Sequence, residues 1–270
     1  MTEHKIKCTV GILTFNSDTT IKATLESVRH FAEIVVCDGG STDETLSLAR
    51  AYGAKVIVQA PEYKGEGNKL VDFSGVRNQM LSVASHPWFF SLDSDELMTP
   101  SLEAEIETCI TSRQKPTAFW VPRKYMLDDE VVLCASTYPT QQMRFFHCEA
   151  VKTFIKTIHE KIEVKPNAPV ETLENFMLVP MNPDPMFHRA KWQHYIELEA
   201  KRRRRISLWE WVLVCVENAK ISSLYFFRFV RNLFLCRGKR IPWKLEWERH
   251  VYHLQICKRF WRLIWRAEKT

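Results

Sequence analysis

The 270-residue chain has no long apolar run, no clustered glycines after its first strand and no closely paired cysteines. A membrane-spanning helix needs roughly 20 apolar residues, and the densest pieces, such as Trp211–Val216, are much shorter. The first seven residues lack an apolar segment with a small-residue cleavage site, so no secretory signal is expected. The eight cysteines are scattered without a Cys-x-x-Cys pair, which argues against zinc and a disulfide framework and fits a reducing cytosol.

The glycine-rich turn of a dinucleotide-binding fold is also missing. Such a fold carries G-x-G-x-x-G after its first strand, whereas the first predicted strand here ends in Thr14-Phe15-Asn16. This absence argues against an oxidoreductase, and against a methyltransferase interpretation of Asp38-Gly39-Gly40. It also weighs against a nucleotidyltransferase, which normally has a glycine-rich phosphate loop at this point.

Charge is distributed unevenly along the chain. Residues 191–270 contain 19 Lys and Arg against 7 Asp and Glu, whereas residues 1–190 contain 19 against 25. Seven of the nine tryptophans also lie in the basic segment. We therefore expect a domain at 1–190, with halves at 1–122 and 123–190, followed by a helical, basic and aromatic tail at 191–270.

Strands and helices alternate over the first 122 residues. Short apolar and β-branched runs predict five strands, at 8–13, 34–37, 56–58, 88–92 and 118–121. Helical periodicity fills the intervals, with a predicted capping box at Ser41-x-x-Glu44 and a helix start at Thr99-Pro100. This order predicts an α/β fold with a doubly wound, mostly parallel sheet.

An acidic turn, Asp93-Ser94-Asp95-Glu96, directly follows the fourth predicted strand. Ligands of open α/β sheets bind at the carboxyl ends of the strands. Two carboxylates two residues apart on a turning backbone can hold Mg²⁺ or Mn²⁺, which in turn binds phosphate oxygens. An ordinary solvated turn has the same pattern, so the motif by itself does not decide between a metal site and a surface turn.

Four motifs in order resemble those of family 2 glycosyltransferases with the GT-A fold. They are Leu13-Thr14-Phe15-Asn16, Asp38-Gly39-Gly40-Ser41-Thr42-Asp43, Gly75-Val76-Arg77-Asn78 and Ser91-Leu92-Asp93-Ser94-Asp95. A looser set further on is similar to bacterial lipopolysaccharide-core glycosyltransferases: Tyr138-Pro139, Arg144-Phe145-Phe146, Ile158-His159-Glu160 and His188.

The resemblance implies a metal-dependent, inverting enzyme of the hexosyltransferase type that uses a nucleotide-sugar donor. Residues 1–122 would form its donor half and residues 123–190 its acceptor half. Asp93 and Asp95 would hold Mg²⁺ or Mn²⁺ against the diphosphate, and Thr14 and Asp38 would line the pocket for the nucleobase. Arg77 would reach the nucleobase or a phosphate. The family often has a second Asp where this chain has Gly39, which leaves the identity of the nucleobase open.

The catalytic base is expected downstream, because the two Asp residues of the acidic turn are engaged with metal. Glu160 is the first candidate and Asp184 the second; Glu160 could equally pair with a neighbouring lysine. His188 would complete the metal shell or be structural. Arg144 would bind a phosphate of the donor or acceptor, or pair with an acidic neighbour.

The tail carries Trp and Phe among Lys and Arg, a pattern that fits an interfacial helix on an anionic membrane. The aromatic side chains could instead pack internally under the stems of the basic residues. A lipid-linked or lipopolysaccharide-core acceptor and a peripheral position on the cytoplasmic face of the cell membrane are expected; nucleic acid is not. The alternatives are a nucleotidyltransferase-like enzyme, and a non-enzymatic membrane or nucleic-acid adaptor on a glycosyltransferase fold.

Overall fold

The computed structural model describes residues 4–65, 70–156, 161–203 and 205–265. They fall into two compact units. The first comprises Met1–Lys124 and Pro139–Pro180, and the second comprises Tyr125–Tyr138 and Met181–Thr270.

The strands and helices of the described residues are numbered in chain order. The strands are β1 (Ile6–Thr14), β2 (Phe31–Asp38), β3 (Lys55–Val58), β4 (Trp88–Asp93), β5 (Ala118–Leu127), β6 (Glu130–Val131), β7 (Gln141–His147), β8 (Val151–Ile155), β9 (Lys161–Val164), β10 (Val170–Thr172) and β11 (Met177–Pro180). The α-helices are α1 (Asp18–Ser27), α2 (Thr45–Ala51), α3 (Phe73–Ser82), α4 (Pro100–Ser112), α5 (Pro185–Arg202), α6 (Leu208–Leu235) and α7 (Trp243–Ile264).

The first unit is built on a mostly parallel sheet with the strand order β10-β5-β7-β4-β1-β2-β3. β1 lies parallel to β2 and β4, β2 to β3, and β5 to β10. β7 enters between β4 and β5 and is antiparallel to both. The predicted α/β class and mostly parallel sheet are confirmed, and the five predicted strands correspond to β1 to β5. The antiparallel strand β7 was not predicted.

Apolar side chains cover both faces of this sheet. One buried cluster includes Val10, Ile12 and Phe90, and the other includes Val35 and Phe89 on the opposite face. A strand buried on both faces reads as a continuous apolar run, which explains Trp88-Phe89-Phe90 before the acidic turn. Packing on both faces holds the strand ends, and hence the site they carry, in a fixed arrangement.

The predicted helix starts have different outcomes. The Thr99 hydroxyl accepts from the backbone N–H of Leu102 at 3.2 Å and Pro100 opens α4, as expected. The capping box at Ser41-x-x-Glu44 is wrong, because α2 begins at Thr45 and its N-cap, Glu44, makes no side-chain cap. The Ser41 hydroxyl instead donates to Asp38 at 2.5 Å. The serine therefore stabilises the turn after β2.

The second unit contains α5, α6 and α7. Ala200, Ile206, Phe260 and Leu263 form a buried apolar cluster among these helices. An ion pair also links α7 to α5, since Arg259 Nε donates to Glu197 Oε1 at 2.8 Å.

A disulfide joins Cys134 and Cys236 in the second unit. The expectation that the cysteines form no disulfide is wrong for this pair. The two residues are 102 positions apart in sequence, so their pairing comes from the fold and leaves no short spacing to recognise. Among the residues that the structure describes, no helix has the length and apolar character needed to cross a membrane.

Candidate functional site

Three parallel strands bring predicted site residues to one edge of the sheet. Thr14, the last residue of β1, pairs with Asp38, the last residue of β2. On the other side of β1, Leu13 pairs with Asp93, the last residue of β4. The carboxyl ends of these neighbouring strands therefore place Thr14, Asp38 and Asp93 in one region, where open α/β sheets bind ligands.

Two arginines hold the Asp93 carboxylate. Arg77, on α3, donates from Nη2 to Asp93 Oδ1 at 2.7 Å, and Arg144, on β7, donates from Nη2 to Asp93 Oδ2 at 2.9 Å. Arg77 also bonds the hydroxyl of Ser91. The Arg77 side chain is 3% exposed and that of Arg144 is 6% exposed, whereas the Asp93 side chain remains 33% exposed. The two buried arginines thus fix the Asp93 carboxylate, and part of the Asp93 side chain remains accessible to solvent.

A second carboxylate extends this cluster. Glu96 is 1% exposed and accepts from Arg144 at 3.1 Å and from Arg123 at 2.6 Å. Its Oε2 also accepts from the backbone N–H of Asp93 at 3.1 Å. Three guanidinium groups therefore face the carboxylates of Asp93 and Glu96, and the exposed carboxylate of Asp95 in the same turn makes the acidic and basic groups equal in number.

The same arrangement sets the protonation of Asp93. Burial alone would raise its pKa, but the guanidinium groups of Arg144 and Arg77 outweigh burial and hold the pKa of Asp93 well below its ordinary value. Asp93 is therefore ionised throughout the physiological range. Buried opposite charges are costly when one partner is missing, so loss of the carboxylate would leave two buried arginines with fewer partners.

Asp38 is occupied within its own turn. Its Oδ2 accepts from the backbone N–H groups of Gly40 at 2.7 Å and Ser41 at 2.9 Å, and its Oδ1 accepts from the Ser41 hydroxyl. Asp38 is 1% exposed. The prediction that Asp38 lines a base pocket remains a prediction, and the carboxylate already has three donors inside the protein.

Thr14 differs from Asp38 in having a buried group without a partner. Thr14 is 2% exposed, and its hydroxyl has no hydrogen-bond partner among the described residues. A buried hydroxyl without a partner costs roughly 1–3 kcal/mol. At the carboxyl end of a central strand, a polar ligand could supply the hydrogen bond that this hydroxyl lacks.

The carboxylates of the acidic turn suit a divalent cation. Asp95 is exposed and follows β4 by two residues, while Asp93 is a permanently ionised neighbour. Mg²⁺ is commonly held by one or two carboxylates together with substrate phosphates, and this donor set fits that pattern. In the described part of the chain, no three His, Cys, Asp or Glu side chains are grouped to hold a metal ion without such a substrate.

The downstream candidates are in different situations. Glu160 lies outside the described residues. Asp184 is the N-cap of α5, where its Oδ1 accepts from the backbone N–H of Met186 at 2.9 Å. His188, in the second unit, donates from Nε2 to the carbonyl oxygen of Asn182 at 2.7 Å. Burial lowers the pKa of His188 against the effect of that hydrogen bond, so the ring is neutral at pH 7 and Nδ1 can accept or ligate.

Sequence reasoning missed two residues of the cluster. Glu96 was assigned only to the acidic turn, and Arg123 was not singled out. The signal for Glu96 was its position three residues after Asp93, which lets its side chain reach back to the strand end. Arg123 gave no signal, because its pairing with Glu96 depends on β5 lying beside β7 in the sheet.

The comparison with family models agrees with the motifs. Residues 9–151 match the model of Glycosyl transferase family 2, which is just over half of the chain. The chain therefore belongs to this glycosyltransferase family, and the predicted enzyme class is confirmed. Family membership displaces the nucleotidyltransferase-like alternative.

Related sequences carry the same kind of name. The chain is 31% identical over 99 residues to the glycosyltransferase SunS of Bacillus subtilis, covering 36% of this chain and 22% of that protein. It is 28% identical over 110 residues to an uncharacterised glycosyltransferase of Rickettsia bellii, covering 40% and 34%. It is 25% identical over 123 residues to the lipopolysaccharide core biosynthesis glycosyltransferase LpsC of Rhizobium meliloti, covering 44% and 43%. The matches thus span less than half of each relative.

The chain is also similar to parts of two solved structures. TarS of S. aureus is 18% identical with a TM-score of 0.42, covering 86% of this chain and 44% of that one. Glucosyl-3-phosphoglycerate synthase of Mycobacterium tuberculosis, in complex with Mn²⁺ and uridine-diphosphate-glucose, is 21% identical with a TM-score of 0.35, covering 44% and 43%.

Proposed function

We propose that the protein transfers a sugar, with inversion, from a nucleotide-sugar to a lipid-linked or lipopolysaccharide-core acceptor. The observation that carries the donor half of this proposal is the convergence of Thr14, Asp93, Arg77 and Arg144 at the carboxyl ends of adjacent strands. It provides an unpartnered buried hydroxyl, a fixed carboxylate and two guanidinium groups in one region. A nucleoside diphosphate needs those same groups, which are polar contacts for the nucleoside and positive charge for the phosphates.

In the proposed complex the two arginines act mainly through orientation. Arg77 and Arg144 keep the Asp93 carboxylate ionised and in one position, so that it can accept a hydrogen bond from a hydroxyl of the donor. Their two charges are matched by Asp93 and Glu96, so the charge that attracts the diphosphate would come from the metal ion. Mg²⁺ or Mn²⁺ would be held by Asp95 and Asp93, with His188 as a further predicted ligand. When bound, the ion supplies Lewis-acid stabilisation of the leaving nucleoside diphosphate.

Removal of a proton from the acceptor hydroxyl is assigned to Glu160, with Asp184 as the second candidate. The N-cap position of Asp184 weakens its case, because one of its oxygens is used to begin α5. Glu160 therefore stays ahead of Asp184 in the proposal.

The membrane part of the proposal is supported by α6. Several of its large apolar side chains are exposed, among them Trp209 at 69%, Phe227 at 70% and Phe234 at 81%. Others in the same unit pack internally, as Trp211 does in donating from Nε1 to the Cys257 carbonyl oxygen at 3.0 Å. Exposed aromatics on a basic segment fit an anionic lipid surface, which would bring the enzyme to a lipid-linked acceptor.

A binding screen tests the donor class. Thermal unfolding should be followed with UDP-, GDP-, ADP- and CMP-sugars, each with and without Mn²⁺. We expect one nucleotide to raise the melting temperature, and to do so more strongly with Mn²⁺. The screen should be repeated with Arg77→Met, whose loss of the shift would place the ligand at this site. If no nucleotide-sugar stabilises the wild-type protein under either condition, the proposed donor class is wrong.

A further inference from the structure

Arg249, on α7, lies close to two aromatic rings of the second unit. Its Cζ is 5.5 Å from the ring centre of Tyr125 and 5.9 Å from that of Trp192, which is on α5. Both distances are within the range of a cation–π contact. The Arg249 side chain is 16% exposed, and the two aromatic residues are both partly exposed. Solvent therefore reaches the aromatic surface that adjoins this guanidinium group.

The guanidinium group of Arg249 is largely buried but makes no hydrogen bond to any residue that the structure describes, and its Nε is fully buried without a partner. Two more exposed arginines of the same unit are fully paired. Arg189 bonds both carboxylate oxygens of Glu248, and Arg259 bonds both of Glu197. Buried donors without acceptors are unfavourable, so Arg249 has the groups to bind a ligand rich in acceptors.

The charge of Arg249 is already balanced. Glu246 Oε2 lies 3.7 Å from Arg249 Nε, which is too long for a hydrogen bond. Glu246 is 5% exposed, and its two oxygens accept from the backbone N–H of Ser136 at 2.9 Å and from the Ser136 hydroxyl. Glu246 therefore compensates the charge of the guanidinium group without taking up its N–H donors. This arrangement favours neutral acceptors, such as hydroxyl oxygens, over a second anion.

The two aromatic rings are held in place by further aromatic neighbours. The ring centre of Trp192 is 5.5 Å from that of His188 and 5.6 Å from that of Tyr252. The Tyr125 ring stacks on Tyr138 with centres 5.6 Å apart, and the Tyr138 hydroxyl accepts from the Tyr125 backbone N–H at 2.6 Å. Rings fixed in this way lose little conformational entropy when a ligand binds to them.

A sugar combines the two properties that these groups require. The C–H groups on one face of a sugar ring are apolar and pack against an aromatic ring. The hydroxyl groups around the edge of the sugar are neutral and accept hydrogen bonds from N–H donors. A guanidinium group beside a partly exposed indole can therefore bind both parts of one sugar residue.

We propose that Arg249, Trp192 and Tyr125 form a saccharide-binding site for a sugar of the acceptor. Arg249 donates to the sugar hydroxyls, and the sugar ring packs against the aromatic side chains. This rests on the proposed transfer to a glycan-bearing acceptor. It assigns recognition of the acceptor glycan to residues of the second unit, and assigns them no part in binding the donor.

The test is ¹⁹F NMR of the full chain labelled with 5-fluorotryptophan, without nucleotide or metal. The chain has nine tryptophans, and the Trp192 resonance is assigned by its loss in Trp192→Phe. The probes are the methyl glycosides of glucose, galactose and mannose, with inorganic phosphate as the anionic control. We expect at least one glycoside to shift the Trp192 resonance with saturation, and phosphate to leave it unchanged.

Two arginine variants show whether the guanidinium group takes part. Arg249→Lys keeps the charge beside Glu246 but loses the planar set of donors, so we expect it to weaken glycoside binding about tenfold, the effect of one hydrogen bond. Arg237→Lys, at an exposed arginine of the same unit, should not change it. Unchanged thermal unfolding of Arg249→Lys would show that the loss of binding is local.

Four results would overturn the proposal: no glycoside shifts the Trp192 resonance, phosphate shifts it as strongly as a glycoside does, Arg249→Lys binds glycoside as tightly as the wild type, or the resonance of Trp243, 65% exposed, shifts equally. Because no nucleotide or Mn²⁺ is present, these results concern the saccharide site alone. Failure of the proposed donor class is detected separately, in the thermal screen with nucleotide-sugars.

Discussion

The two units differ in their charged and aromatic side chains. In the first, charged groups at the strand ends are paired, as Asp93 is with Arg77 and Arg144. In the second, ion pairs and a disulfide link distant segments, while large aromatic side chains such as Phe234 remain exposed. Buried polar atoms without a partner do not separate the units, since among the described residues Thr14 in the first and Thr137 in the second each carry one. The comparison therefore sets a carboxylate held by arginines, which supports the proposed donor site, against exposed aromatic side chains, which support the proposed membrane contact.

The largest expected effect, on kcat, tests which part of the chain supplies the catalytic base. Glu160→Gln should lower kcat by roughly 10²–10⁴-fold, the usual contribution of general base catalysis, while nucleotide-sugar binding is kept. Asp184→Asn should have little effect, because Asn also serves as an N-cap. Steady-state transfer assays with both variants, together with calorimetric donor binding, decide the matter. Loss of turnover only in Asp184→Asn would move the base to the second unit.

A somewhat smaller loss is expected at the metal carboxylate. Asp95→Asn should reduce Mn²⁺-dependent transfer at least about a hundredfold, since stabilisation of the leaving diphosphate contributes several kcal/mol. Transfer is measured against Mn²⁺ concentration, with Glu174→Gln, an exposed carboxylate elsewhere in the first unit, as the matched control. Undiminished transfer by Asp95→Asn in EDTA would show that this carboxylate holds no catalytic metal.

The arginine-held carboxylate gives a prediction on stability and pH. Asp93→Asn should lower the free energy of unfolding at pH 7 by about 2–3 kcal/mol, a buried-pair value reduced for the partial exposure of Asp93. Because the folded-state pKa of Asp93 is depressed, its stabilisation is fully present above the unfolded pKa of about 3.9 and is lost as the pH falls through the folded pKa.

Urea unfolding of the wild type and Asp93→Asn at pH 7 and pH 3 measures this contribution. The difference between the two proteins should be smaller at pH 3. A difference that stays constant, or grows, on acidification would mean that the arginines do not hold the carboxylate in its ionised form.

The smallest expected effect concerns the exposed aromatic side chains of the second unit. Replacing Phe227 and Phe234 by Ser should weaken binding to phosphatidylglycerol vesicles about tenfold or more, since each buried Phe contributes up to about 3 kcal/mol. Vesicle flotation is the measurement, and Val170→Ser, at an exposed apolar residue of the first unit, is the control. Equal flotation of all three proteins, or none by the wild type, would remove the membrane from the proposal.

Much of the first unit could be predicted because its signals are local. Each of the strands β1 to β4 is a short apolar run, and the residues at their ends, Thr14, Asp38 and Asp93, follow from where the runs stop. The pairing of Asp93 with Arg77 was not predicted, although both residues were. A side-chain contact between residues 16 apart on a helix and a strand depends on how these elements pack, which no local pattern specifies.

The sequence by itself determined the α/β class, the family and the uneven distribution of charge, because periodicity, ordered motifs and composition are properties of the chain. The tertiary structure decided which polar groups are satisfied. It placed the Asp38 carboxylate inside its own turn, recruited Ser41 to that turn instead of a helix cap, and paired Cys134 with Cys236. Satisfaction of a polar group depends on neighbours that are distant in sequence, so only the folded chain could determine it.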